Sequence, residues 1–102
     1  MLLKGPLMDK KCSSTLIIDD AKVRVTRFDF RPGHETGWHV HSYDYVITAI
    51  TNCSMLLQNA DGTKTITEIL KGSAYRRNAG IRHNVKNVSD KSMSFIEIEI
   101  KT

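Results

Sequence analysis

Residues 33–52 read GHETGWHVHSYDYVITAITN. The second half, from Tyr45 on, is rich in β-branched and aromatic side chains and carries no helical period, so Trp38–Thr51 is expected to be one long strand. Within it His39 and His41 stand two residues apart. Side chains alternate faces along a strand, so both imidazoles would leave the same side, with Cα atoms roughly 6.5–7 Å apart. Two rings so placed can converge on one ion at the roughly 2.0–2.1 Å that an imidazole nitrogen prefers. A third ligand must then come from another strand. His83, three residues after Gly80 at the head of a second β-like run, is the candidate.

Outward from this stretch the same β texture continues. Thr15–Asp19 is a short apolar run. Lys22–Phe30 alternates, and its apolar positions change parity between Val25 and Phe28, which reads as a bulge. Ser54–Gln58 and Lys64–Leu70 flank Asp61-Gly62, a strong hairpin signal. Tyr75–Arg77 and Ile81–Val88 flank a turn at Asn78-Ala79-Gly80. Ser94–Lys101 places Ile96, Ile98 and Ile100 on one face and Glu97 and Glu99 on the other, the pattern of a half-buried strand. Eight or so short strands with no helical segment make the fold all-β, a sandwich or a barrel. A closed barrel of that strand number can hold a small ligand.

The chain has 102 residues, enough for one domain and one core. Residues 1–13 read as an N-terminal arm or loose end, and residues 14–102 as the barrel. No run of about 20 apolar residues is present, so no membrane helix is expected. The net charge of +4 is spread along the chain, 15 basic residues among 11 acidic ones, unlike the concentrated basic face of a nucleic-acid module. Cys12 and Cys53 form neither a disulfide framework nor a CxxC motif, which suits a reducing compartment, the cytoplasm.

The histidines and glycines together carry a resemblance. Gly33, His39 and His41 match the first motif of the cupin superfamily, G-x5-H-x-H-x3–4-E-x6-G. Gly72, Gly80, His83 and Asn87 match the second, G-x5-P-x-G-x2-H-x3-N. The chain therefore resembles a small single-domain cupin, and GWHVHSYDY at 37–45 is similar to a bacterial subgroup of very short cupins with Asp-Tyr after the HxH pair. The resemblance implies a double-stranded β-helix, or jelly-roll barrel. It also implies a divalent metal at its centre, commonly Fe2+, Mn2+, Ni2+ or Zn2+, with His39, His41 and His83 as the family's ligand positions.

Three positions depart from the motifs. The first-motif glutamate would fall at Tyr45 or Val46, the closing glycine is Asn52, and the second-motif proline is Asn78. The lost carboxylate matters most, because it leaves a three-histidine site, with Tyr45, Asp44 or water in the vacated place. Three neutral imidazoles leave the full charge on the ion, which then favours an anionic ligand or bound hydroxide. In iron form such a site suits dioxygenase-like chemistry. In zinc or nickel form it suits hydrolysis, or a lyase or isomerase step.

The remaining lining is read by parity. Tyr45 is the candidate catalytic phenol. Arg77 and Tyr43 are candidates for binding the substrate, Arg77 through a bidentate pair with a carboxylate. Arg76 and Arg82 are expected outside, His34 on the surface, and Trp38 in the core or an interface. The expected function is a metal-dependent enzyme acting on a small anionic molecule, with a non-catalytic metal-holding or sensing cupin as the alternative. Exposed edge strands and a small core point to a homodimer.

Overall fold

The computed structural model describes residues 10–101, so most of the expected arm at 1–13 lies outside the described residues. The described residues form nine strands: β1 (Ser13–Asp19), β2 (Val23–Phe30), β3 (His39–Val40), β4 (Asp44–Ala49), β5 (Cys53–Asn59), β6 (Lys64–Ile69), β7 (Ala74–Arg77), β8 (Arg82–Asn87) and β9 (Met93–Ile100). They form two antiparallel sheets, ordered β1-β2-β9-β4-β7 and β3-β8-β5-β6. The described residues include no helix long and apolar enough to cross a membrane. Phe30, Ile47, Met55, Leu57, Val85, Met93 and Phe95 fill the space between the sheets. Phe28, Phe30 and Phe95 form a tilted aromatic cluster with centroids 5.4–6.5 Å apart.

The β5–β6 hairpin forms as its turn signal indicates. The Asp61 carboxylate accepts from the Thr63 amide at 2.9 Å, and Gly62 takes φ +90°. Other expectations are corrected. Trp38–Thr51 is not one strand: the chain leaves the four-stranded sheet after Val40 and enters the five-stranded sheet at Asp44. No bulge interrupts β2, which pairs with β9 in unbroken register from Val23 to Phe30. The irregularity lies on β1, between Leu16 and Ile18. Val23 and Val25 simply face outward while Phe28 and Phe30 face inward, so both faces of this sheet carry apolar residues.

The outward face has its own apolar row. Ile18 stands opposite Val25, Val25 opposite Ile98, and Ile98 opposite Val46, across four strands. On β9 the inward residues are therefore Phe95, Glu97 and Glu99, and the isoleucines look out.

Candidate metal centre

The residues of the two motifs hold one another in place. The Gly33 amide donates to the Asn87 carbonyl at 3.0 Å, and the Asn87 amide to the His34 carbonyl at 2.9 Å. The buried Asn87 side chain donates to the carbonyls of Phe30 and Lys91. The Gly72 amide donates to Ala49 at 2.8 Å, which seats the start of β7 against the end of β4. His41 lies in the crossover between the sheets, and its backbone is clamped to the second-motif turn. Its amide donates to the Ile81 carbonyl at 3.0 Å, and its carbonyl accepts from the Gly80 amide at 2.7 Å. That geometry requires the left-handed φ of +93° at Gly80, which a residue without Cβ adopts at little cost.

Around this clamp the three histidines converge. His39 on β3 stands directly opposite His83 on β8. The Nε2 atom of His41 lies 3.1 Å from that of His39 and 3.0 Å from that of His83. His41 and His83 are each 4% exposed. Burial first, and the neighbouring charges of His39 and Arg77 second, press the His41 imidazole down to about 4. Burial followed by His39, His41 and Arg77 brings His83 down to about 3. Both rings are neutral at neutral pH and offer lone pairs. His39 Nδ1 donates to the Gly37 carbonyl at 2.8 Å, which turns its Nε2 lone pair toward the other two.

These distances fit a shared cation. Imidazole nitrogens about 2.1 Å from one ion and at right angles stand about 3.0 Å apart. Without a cation the arrangement is poorly satisfied, because His41 Nε2 has one position, a proton or a lone pair, for two neighbouring nitrogens. His83 Nδ1 is buried without a hydrogen-bond partner.

The centre borders a cavity of about 310 Å3, lined by apolar residues including Phe28, Ile47, Met55, Tyr75, Val85 and Phe95. Lys11 supplies a cation to this lining and Glu97 a carboxylate. Tyr45 is 2% exposed, lines the cavity and stacks on His41. Burial raises its phenol, against the nearby Arg77 charge, so it stays protonated and donates rather than accepts a proton.

Arg77 is half-buried directly opposite Tyr45, forms no ion pair among the described residues, and lies outside the cavity lining. Tyr43 also lies outside the lining, because residues 42–43 are a bend and its strand parity does not apply. The Asp44 carboxylate does not enter the site. It accepts from the Ala79 amide at 2.8 Å and faces Arg76 at 3.7 Å, bracing the turn. Trp38 is exposed at the rim with the Arg82 guanidinium 5.1 Å over its ring, not in the core. His34 sits away from the triad, beside a second cleft with Asp29 and Ser94.

Glu97 is the site residue that the sequence pattern hides. It is 9% exposed and its carboxylate lies 3.8 Å from His41 Nε2. Burial chiefly, and Glu99 next, push its carboxyl up to about 7 against the pull of Arg24.

Comparison with known proteins identifies the family of this fold. The cupin domain model matches residues 15–99. The beta-alanine degradation protein BauB of Pseudomonas aeruginosa is 42% identical over 87 residues, which span 85% of this chain and 90% of that protein. A crystal structure of a cupin domain from Bordetella pertussis superposes with a TM-score of 0.86 at 42% identity, covering 90% of this chain and 95% of that one. The polyketide cyclase RemF of Streptomyces resistomycificus shares the fold alone, with a TM-score of 0.72 at 21% identity over 91% of this chain and 67% of that one. The match over most of its length and the double-stranded β-helix place the chain in the cupin family.

Proposed function

We propose that this protein holds one divalent ion on His39, His41 and His83 and acts as a metal-dependent enzyme on a small organic acid in the barrel. The convergence of three Nε2 atoms, two of them on buried neutral rings, carries the reading. Such an ion supplies Lewis acidity at a position open to an anionic ligand. The chain's own residues do the rest. Lys11 offers a cation on the cavity wall, and Arg77 adds positive charge behind the triad. Phe28, Ile47, Met55 and Phe95 exclude water. The protonated Tyr45 phenol donates a hydrogen bond to a substrate oxygen. The relationship to BauB supports the small-acid assignment, since beta-alanine is a small carboxylic acid. Dioxygenase-like chemistry is the first reaction class, and a lyase or isomerase step the second. Two unpaired buried thiols suit the cytoplasm as the place of action.

The test begins with elemental analysis of untagged protein purified without chelator, which should give about one ion per chain. Less than about 0.1 ion per chain, unrestored by Fe2+, Mn2+, Zn2+ or Ni2+, overturns the reading. His39→Ala and His83→Ala should lose most of the metal and remain folded on their apolar core. Oxygen consumption by iron-loaded protein over a panel of small acids then separates an enzyme from a binding module, which would hold metal without turnover.

A further inference from the structure

We infer that Glu97 supplies the carboxylate of this centre. Delivered by the last strand rather than by the strand after the HxH pair, it joins His39, His41 and His83 as a ligand to the ion. This inference rests on the three-histidine reading above and adds a ligand to it.

The placement is the first argument. Glu97 occupies an inward position of β9, directly opposite Ile47 on β4 and one inward step from Phe95. A carboxyl among such neighbours is either protonated or has its lost hydration compensated by a charge or a metal. Among the described residues Glu97 accepts no hydrogen bond, and its carboxylate lies 3.8 Å from His41 Nε2. That nitrogen already faces His39 and His83. The next inward residue, Glu99, has its own partner, since its carboxylate lies 3.6 Å from the Arg24 guanidinium. Glu97 is the one left facing the cavity.

The second argument is the motif position itself. Tyr45 stands where the first motif carries glutamate, and its ring covers the face of His41. No carboxylate reaches the triad from β4, because Asp44 is turned to the 78–80 turn. His41 Nε2 belongs to two groups of potential ligand atoms, each gathered within 4.8 Å: one with His39 and His83, the other with Glu97 and Glu99. His41 is the residue the two groups share, so an ion bound on its Nε2 is within reach of Glu97, and one carboxylate would reduce its net charge from +2 to +1.

The test uses the full chain stripped of metal and titrated with Co2+, read by its visible d–d absorption in competition with a chelator. Glu97→Gln should bind Co2+ at least tenfold more weakly, with a changed spectrum, while Glu99→Gln stays within about twofold of wild type. A Glu97→Gln protein that is folded by circular dichroism and matches wild type in affinity and spectrum overturns the inference. A crystal structure of the Co2+-loaded wild type decides independently of any variant. A Glu97 oxygen about 2.0–2.2 Å from the anomalous peak supports the inference, and one beyond bonding distance overturns it. The two readings fail differently. Wild type that takes up no Co2+ overturns the three-histidine centre and Glu97 with it. Binding that is lost in His39→Ala but unaltered in Glu97→Gln overturns Glu97 alone.

Discussion

The ring of Tyr45 lies nearly flat on the imidazole of His41, with centroids 3.8 Å apart and planes 22° from parallel. The residue that replaces the motif glutamate thus holds the middle histidine of the triad by its face and presents its hydroxyl as a separate feature. The two contributions can be separated by substitution.

Tyr45→Phe keeps the stack and removes the donor. Metal content and thermal stability should stay near wild type, while turnover on an acid identified in the panel falls by about 100-fold. Tyr45→Ala removes the stack and leaves a cavity, and should cost about 3–5 kcal/mol in denaturant unfolding. Equal metal loss in both variants would contradict this division.

The stability of the metal-free protein should vary with pH in a defined way. His41 and His83 have folded values near 4 and 3, below the ordinary 6.5. The unfolded chain therefore binds more protons there, and these two groups lower stability as pH falls below about 6.5. Glu97 acts oppositely, since its folded value near 7 exceeds the ordinary 4.5 and the folded state takes up its proton first. Between about pH 6.5 and 4.5 the net effect is one proton, at most about 1.4 kcal/mol lost per pH unit. Unfolding midpoints of metal-free protein should peak near pH 6.5. In Glu97→Gln, where the opposing group is gone, the slope on the acid side should be steeper. A flat profile from pH 7 to 4.5 would refute the assignment.

Gly80→Ala should weaken metal binding through the backbone. An added Cβ meets nothing within 4 Å, so its cost is the left-handed conformation itself, about 1–2 kcal/mol. The same change at Gly62, with φ +90° and equally open space, carries a similar cost at the remote β5–β6 turn. Matched melting shifts with weaker Co2+ binding only in Gly80→Ala would show that the turn positions His41.

The outward row Ile18, Val25, Ile98 and Val46 supports pairing with a second copy. Light scattering should give twice 11.5 kDa. Val46→Lys, in the middle of that face and outside the cavity, should shift the mass toward a single chain while metal content is kept. A wild-type mass of one chain refutes the proposal.

The sequence revealed the triad because period and spacing are local properties. His39, His41 and His83 carry their own motif glycines, and Gly80 and Asn87 are the residues that clamp and brace them. Glu97 was illegible for a physical reason. Alternation shows which residues share a face, not which face meets the core. On β9 the apolar set Ile96, Ile98 and Ile100 pointed the wrong way, because the outer face of the sheet is apolar too. Tyr43 was misplaced on the same ground, since a parity argument fails where a strand breaks to change sheets. The apparent bulge in β2 came from reading two apolar faces as one.

His39 and His83 face each other across the β3–β8 pair, though 44 positions separate them in the chain. The unfolded chain offers an ion only the adjacent HxH pair, and the full ligand set exists only once β8 has closed on β3. A divalent ion bound there is therefore linked to folding by mass action: each tenfold rise in free ion above its dissociation constant adds about 1.4 kcal/mol of stability. An ion held there would therefore add to the stability that the apolar core already gives this small barrel, and its supply would set the size of that addition.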